Sequence, residues 1–375
     1  MKVWLIAGEA SGDRLGAALM TGLRALDPSA SFAGIGGSQM AKLGLTSRFP
    51  MKELSVMGLL EILPKYFHLK RRLRECADAI LAEKPDVVVT IDSPDFCLRV
   101  AKLVKAASSQ KIVHYVAPSV WAWRPKRAER MRGVVDHVLA LLPFEPSYLE
   151  RAGVPCTFVG HPVTTETAPT DDKVTAFRAN LTGPVVLLLP GSRKSEVTRL
   201  LPRFQETLAK LRAAHPTLTA LLPIAPGVEA EVRALITDQS IRTLDPASPD
   251  KALAFRAADV ALAASGTVSL ELAAAGTPMV IGYDMNRVTY AIMKRMLLTD
   301  TVTLVNLVAD SRTVPEFIGP DCQPEAMAIA LDQLLSDQAA RNAQLEAMDL
   351  TMARLGAGGE PPGIRAARVV LDVAR

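Results

Sequence analysis

The sequence predicts an α/β protein made of two doubly wound, Rossmann-like domains facing a central cleft. Short, uninterrupted aliphatic runs recur between longer helical patterns: Val3–Ala7, Val87–Ile91, Ile112–Val116, Val138–Leu142, Val185–Leu189, Leu218–Ile224, Val260–Ala264 and Met279–Ile281. Strands that are apolar on both faces belong to parallel sheets covered by helices on both sides. At 375 residues the chain exceeds what one hydrophobic core usually supports. Between Pro162 and Gly183 it turns polar and rich in Pro and Thr before a new strand begins, as an interdomain linker does. The expected domains are residues 1–165 and 166–360. The helical pattern from about 361 to 375 follows a Gly/Pro break and could pack back on the first domain or on a partner subunit of a homodimer.

Composition narrows the function classes. Apolar residues make up 49% and charged residues 22%, a globular balance. Lys plus Arg number 43 against 39 Asp plus Glu, and a net charge of +4 is too small to argue for a nucleic-acid partner. Cys76, Cys97, Cys156 and Cys322 lie far apart without C-x-x-C spacing, so neither a metal site nor a disulfide framework is expected and a reducing, cytoplasmic setting is. The apolar stretch at Val3–Ala7 is too short for a signal-peptide core and runs directly into a glycine loop. No window reaches the ~18 consecutive apolar residues of a spanning helix. Any membrane contact is therefore expected to be peripheral.

The first strand leads into Gly8-Glu9-Ala10-Ser11-Gly12-Asp13 and a helix. Small residues such as Ser11 and Gly12 let backbone approach a ligand at a helix N-terminus, although a tight turn that merely caps the helix reads the same way. The loop lacks G-x-G-x-x-G and a P-loop Lys, and Asp13 would repel a pyrophosphate, which disfavours NAD or ATP. Strand Val87–Ile91 delivers Asp92 to its carboxyl end, where open α/β sheets keep their active sites, so Asp92 is the candidate general base. The competing role for a strand-end Asp is capping the next helix, which Asp95 could fill here. His114 and His161 are weaker catalytic candidates. Residues 117–127 (APSVWAWRPKR) set two indoles among cations after a strand, fit for sugars or lipid phosphate, or for a packed lid.

In the second half, Val185–Leu189 leads into Pro190-Gly191-Ser192-Arg193 and a helix. Backbone N–H groups of Gly191 and Ser192, the helix dipole and the Arg193 guanidinium would converge on a diphosphate. Val260–Ala264 ends at Ser265-Gly266-Thr267, with Glu271 one helical turn on, well placed for the hydroxyl pair of a ribose. Together they predict a nucleoside diphosphate in the second domain. Residues 56–74 (VMGLLEILPKYFHLKRRLR) spread apolar side chains over half a helix circumference with Lys65, Lys70, Arg71, Arg72 and Arg74 interleaved, as in a helix lying on an anionic bilayer. Pro64 would start or kink that helix.

The strings GEASGD, VMGLLEIL, IDSPDF, HYVAPSVWAWRPKR, LLPFE, VGHP, LLPGSRKSEV, ASGTVSLELA and VNL resemble, in order, those of the lipid-A-disaccharide synthase family over residues 3 to about 310. The resemblance implies a GT-B fold and a peripheral inner-membrane glycosyltransferase without cofactor or metal. It would move 2,3-diacylglucosamine from UDP-2,3-diacylglucosamine to 2,3-diacylglucosamine 1-phosphate (lipid X) with inversion, giving a β-1,6 disaccharide. It further implies Asp92 as base, Arg193 and Glu271 as holders of UDP, and Asn306 as a further essential position. Ala10 stands where many relatives carry Thr. A UDP-N-acetylglucosamine 2-epimerase, or another membrane-associated UDP-sugar transferase of this fold, is the alternative.

Overall fold

The computed structural model describes residues 1–54, 59–121 and 126–375, with side chains from 67 onward in the helix that begins at Leu59 and without those of 287 and 288. The chain divides into two compact units: Met1–Thr165 joined by Gly358–Arg375, and Glu166–Ala357.

The first unit holds a parallel sheet of β1 (Lys2–Ala7), β2 (Ser31–Ile35), β3 (Val87–Ile91), β4 (Ile112–Tyr115), β5 (His137–Ala140) and β6 (Cys156–Phe158), ordered β2-β1-β3-β4-β5-β6. Alternate residues feed two cores. Trp4, Ile6 and Val88 pack with the helix Pro94–Ala107 through Val100 and Val104, while Val3, Leu5, Val87 and Val89 pack with the helix Ala10–Leu26 through Leu19 and Leu23. Because β1 and β3 are neighbours whose following helices cover opposite faces, the sheet opens a crevice at their carboxyl ends.

The terminal helix Pro362–Ala374 lies on the helix Ala10–Leu26 of the same chain. A Cβ at Gly22 would stand 2.3 Å from the Gly363 carbonyl oxygen, so only glycine permits this approach. Ala366, Ala367 and Val370 are fully buried in the shared core, and a buried valine is worth ~1.5–3 kcal/mol. Arg365 closes the contact by donating to the Phe158 carbonyl at 2.9 Å.

The second unit repeats the design with β7 (Val185–Leu189), β8 (Thr219–Pro223), β9 (Arg242–Leu244), β10 (Val260–Ala263), β11 (Met279–Tyr283) and β12 (Glu316–Ile318), ordered β12-β11-β10-β7-β8-β9. Its order reverses between β7 and β10, which brings the loops after Leu189 and Ala264 side by side. Among the described residues no helix is long and apolar enough to cross a membrane.

A helix, expected over 56–74 and read there as interfacial, is observed at Leu59–Glu83, with Pro64 inside it. Residues 56–58 and the side chains of 59–66 lie outside the described residues. Phe67 is exposed, as are Lys70, Arg71 and Arg74. Leu69 and Leu73 pack against the core instead. Arg72 also departs from the expectation. It donates to Glu53 at 2.7 and 3.0 Å and to Glu75 at 2.6 Å, and stacks over Phe49, because a half-buried guanidinium needs fixed partners.

Candidate active site

In the first unit the crevice between β1 and β3 is occupied by Asp92. Its backbone is left-handed, with φ 55°, and so is that of Ser93, with φ 41°. Val116, at the end of β4, has φ 81°. Non-glycine residues held in this region cost of order 1–3 kcal/mol and gather at functional sites. The Asp92 carboxylate accepts from the Ser93 N–H at 2.8 Å and from the Ser11 hydroxyl at 3.3 Å. Gly8 is required beside it, since a Cβ there would meet the Ser93 hydroxyl at 2.2 Å. Asp92, Pro94, Val116, Ala117, Pro118, Ser119 and Arg127 line a pocket of about 200 Å³. Arg127 donates to exposed Asp95 at 2.6 Å, a weak solvent-screened tie, so its guanidinium can serve an anion in this pocket.

Ser11 and Gly12, expected at the nucleotide, belong to this unit, and the Ser11 hydroxyl is spent on Asp92. Gly12 is buried, with the space of its Cβ 3.4 Å from the Ile91 carbonyl, so it serves helix-on-strand packing. Asp13 is a cap. It accepts from the N–H groups of Gly37, Gln39 and Met40 at 2.8, 2.8 and 3.1 Å, starting the helix Ser38–Lys42. His114 is fully buried and shares a 2.8 Å hydrogen bond with Thr90, and burial pulls its pKa down to about 4. Burial does the same to His161, whose Nδ1 accepts from the Val163 N–H. Neither histidine lines the Asp92 pocket.

Trp121 precedes the segment 122–125, which lies outside the described residues. Its indole packs edge-on against Phe144 at 5.1 Å and donates to Glu145 at 3.2 Å. The other Glu145 oxygen accepts from the N–H groups of Leu141 and Leu142 at 3.1 and 3.0 Å. Burial pushes this carboxyl up to about 7, against the three hydrogen bonds that favour its charge. Since the folded-state pKa lies above the free-chain value of 4.5, folding favours the protonated form, and stability falls as pH rises from about 4.5 to about 7. Urea midpoints taken across that window should therefore decline more steeply for the parent than for Glu145→Gln. Parallel slopes would contradict the assignment.

In the second unit a pocket of about 470 Å³ is lined by Gly191, Ser192, Arg193 and Glu196 from the β7 loop and by Ser265, Gly266, Thr267 and Glu271 from the β10 loop, with Lys251 and Phe255 on its wall. The volume suits a nucleotide. Gly191 has φ 107°, and a Cβ there would strike Glu196 at 2.6 Å or less. Glu196 accepts from the Ser192 and Arg193 N–H groups at 3.1 and 3.3 Å and from the Arg193 side chain at 2.9 Å. A carboxylate thus satisfies the same donors, at the N-terminus of the helix Lys194–Ala214, that an oxyanion of a diphosphate would use.

Glu271 pairs with Lys251 at 2.7 Å. Ser265 donates to the Val302 carbonyl at 3.4 Å, and that segment is held by Glu316, which accepts from Thr301, Val302 and Thr303 at 2.8, 3.0 and 2.6 Å. Asn306 is not in the pocket. It is fully buried, donating to the Val314 carbonyl and Thr301 hydroxyl and accepting from the Val314 N–H, so its work is to brace the segment behind Ser265. Arg127 closes the cationic run 117–127 singled out from sequence, whereas Lys251, Glu196 and Glu316 were not. Only Glu196 carried a signal, as the acidic third residue of a capping box.

Comparison with known proteins fits this geometry. The structure resembles a UDP-N-acetylglucosamine 2-epimerase from Neisseria meningitidis bound to UDP-GlcNAc, with a TM-score of 0.64 at 13% identity and 99% of each chain covered. It also resembles MurG of Acinetobacter baumannii, with a TM-score of 0.56 at 14% identity and 99% of each chain covered. At such identity these likenesses establish the GT-B fold and nothing more. Sequence goes further. A lipid-A-disaccharide synthase of Ruegeria pomeroyi is 57% identical across 99% of this chain and 95% of its own. The family model described as lipid-A-disaccharide synthetase matches residues 3–356, and the chain belongs to that family.

Proposed function

We propose that this chain, whose family forms the lipid A disaccharide from lipid A precursors, transfers 2,3-diacylglucosamine from UDP-2,3-diacylglucosamine to the 6-hydroxyl of 2,3-diacylglucosamine 1-phosphate with inversion. The observation that carries the reading is the strained placement of Asp92 at the crevice of the first sheet, beside the Arg127 guanidinium. The acceptor 1-phosphate would meet Arg127. Asp92 takes the proton of the 6-hydroxyl as that oxygen bonds to the donor C1. The C1–O bond to UDP breaks on the opposite face, its electron pair leaving on the diphosphate. Arg193 and the N–H groups of Ser192 and Arg193 receive that charge once Glu196 gives way, and Glu271 holds the ribose hydroxyls.

Both substrates carry acyl chains. The protein would therefore collect them at the inner face of the membrane, with Phe67, Lys70, Arg71 and Arg74 on the lipid surface and Arg72 left to its structural partners. The transfer would need no metal, as the family resemblance implies, and two chains would pair as a homodimer.

UDP release from UDP-2,3-diacylglucosamine, assayed in chelator, should depend on the monosaccharide 1-phosphate and yield a disaccharide by mass spectrometry. Release without acceptor, or epimerisation at C2 of the donor sugar, would overturn the reading.

A further inference from the structure

We propose that the second unit carries a lipid-binding surface of its own, formed by the helix Arg287–Met296 and Leu298, and that its partner is an anionic bilayer. The inference rests on the reading that the substrates are membrane-borne. The helix follows β11 at the carboxyl edge of the second sheet, the edge that also bears the loops after Leu189 and Ala264. Asn286 starts it by accepting from the Thr289 N–H at 2.7 Å.

One side chain fixes which way the helix faces. Tyr290 packs against Gly319, where a Cβ would come within 2.4 Å of its ring. At ~100° per residue, Ile292 and Met296 stand one turn apart on a face turned away from that anchor. They are 54% and 39% exposed, and Leu298 just beyond is 59% exposed. Three large apolar side chains exposed between positions 292 and 298 are not explained by the packing of this unit.

Charge selects the occupant. From Asn286 to Thr299 the sequence has no acidic residue and carries Arg287, Lys294 and Arg295. Lys294 and Arg295 are exposed. The flanking acids are already neutralised, Asp284 by Arg203 at 3.3 Å and Asp300 by Arg312 at 3.1 Å. An apolar ridge accompanied by exposed Arg295 and by Lys294, whose ammonium lies 5.9 Å from the Tyr290 ring centroid, matches the interface of a bilayer rich in anionic headgroups, where acyl chains accept the ridge and phosphates the cations. A donor whose sugar is acylated would enter the nucleotide pocket from the same surface.

The test uses the full chain with bimane attached at Leu298→Cys or at Phe67→Cys, mixed with vesicles of phosphatidylethanolamine and brominated phosphatidylglycerol. Quenching at position 298 is expected, with none on brominated phosphatidylcholine alone. Quenching at 67 but not at 298 would overturn this surface while leaving peripheral attachment standing, and quenching at neither would overturn both. Lys294→Glu/Arg295→Glu should weaken partitioning to the anionic vesicles about tenfold or more, with unchanged turnover of detergent-dispersed substrates. An equal loss in detergent would overturn the proposal by placing these cations on the substrate.

Discussion

Asp92→Asn is expected to lower kcat by ~10²–10⁴-fold while leaving the affinity for UDP unchanged. The substitution is chosen for the backbone it must tolerate. Position 92 sits at φ 55°, a conformation that asparagine adopts more readily than almost any other residue with a side chain. The Asn carbonyl oxygen can still accept from the Ser93 N–H, so the turn that presents the group survives. What disappears is the ability to take a proton. Alanine would remove the same function but also the Ser93 contact, mixing a structural loss into the rate. If UDP titration is unaltered and acceptor-dependent release collapses, Asp92 acts on the acceptor hydroxyl. A kcat within about tenfold of the parent would instead mean that removing the acceptor proton is not the step Asp92 controls.

The parts of this fold that sequence revealed are the parts buried on both faces. The eight aliphatic runs correspond to β1, β3, β4, β5, β7, β8, β10 and β11, which fill the interiors of the two sheets. The four strands without a sequence signal, β2, β6, β9 and β12, are the four edges. Arg242–Leu244 is largely exposed and Glu316–Ile318 only half-buried, so no continuous apolar run is demanded of them. The same logic separates the site residues. Asp92 and Arg193 sit in the loops after interior strands and Glu271 in the first turn of the helix after another, so all three can be located from the strands alone. Asp13 and Asn306 are buried polar side chains satisfied by distant backbone, Gly37–Met40 for one and Val314 for the other, and those partners are not legible in the sequence around them. Lys251 acts through a partner met only after folding, 20 residues away at Glu271 in the chain. Arg72 and Leu69 show the limit of helical periodicity. A broad apolar and cationic face says that a helix has two environments without saying which side chains turn inward.

Arg193→Ala is expected to reduce kcat/KM for the donor by ~10²–10³-fold, as removal of one preorganised donor to a developing oxyanion does elsewhere. Stability should be almost untouched. The side chain is 58% exposed, and its tie to Glu196 is an i,i+3 surface pair worth a few tenths of a kcal/mol. Thermal unfolding unchanged beside a large kinetic loss would therefore assign Arg193 to the reaction rather than to the loop. Lysine at this position keeps a charge but not the planar fork that two diphosphate oxygens require, so it should recover only part of the loss. The effect also depends on Glu196. In the free protein its carboxylate occupies the Ser192 and Arg193 N–H groups, so an arriving diphosphate must displace one anion to bind. Arg193 opposes that exchange while it is bound to Glu196 and favours it once the diphosphate arrives. Its removal should consequently weaken UDP binding less than it slows turnover, because the charge it meets grows as the C1–O bond breaks. Equal losses in UDP affinity and in rate would mean that Arg193 merely holds the nucleotide and that the leaving group is stabilised by the N-terminus of the helix Lys194–Ala214 alone.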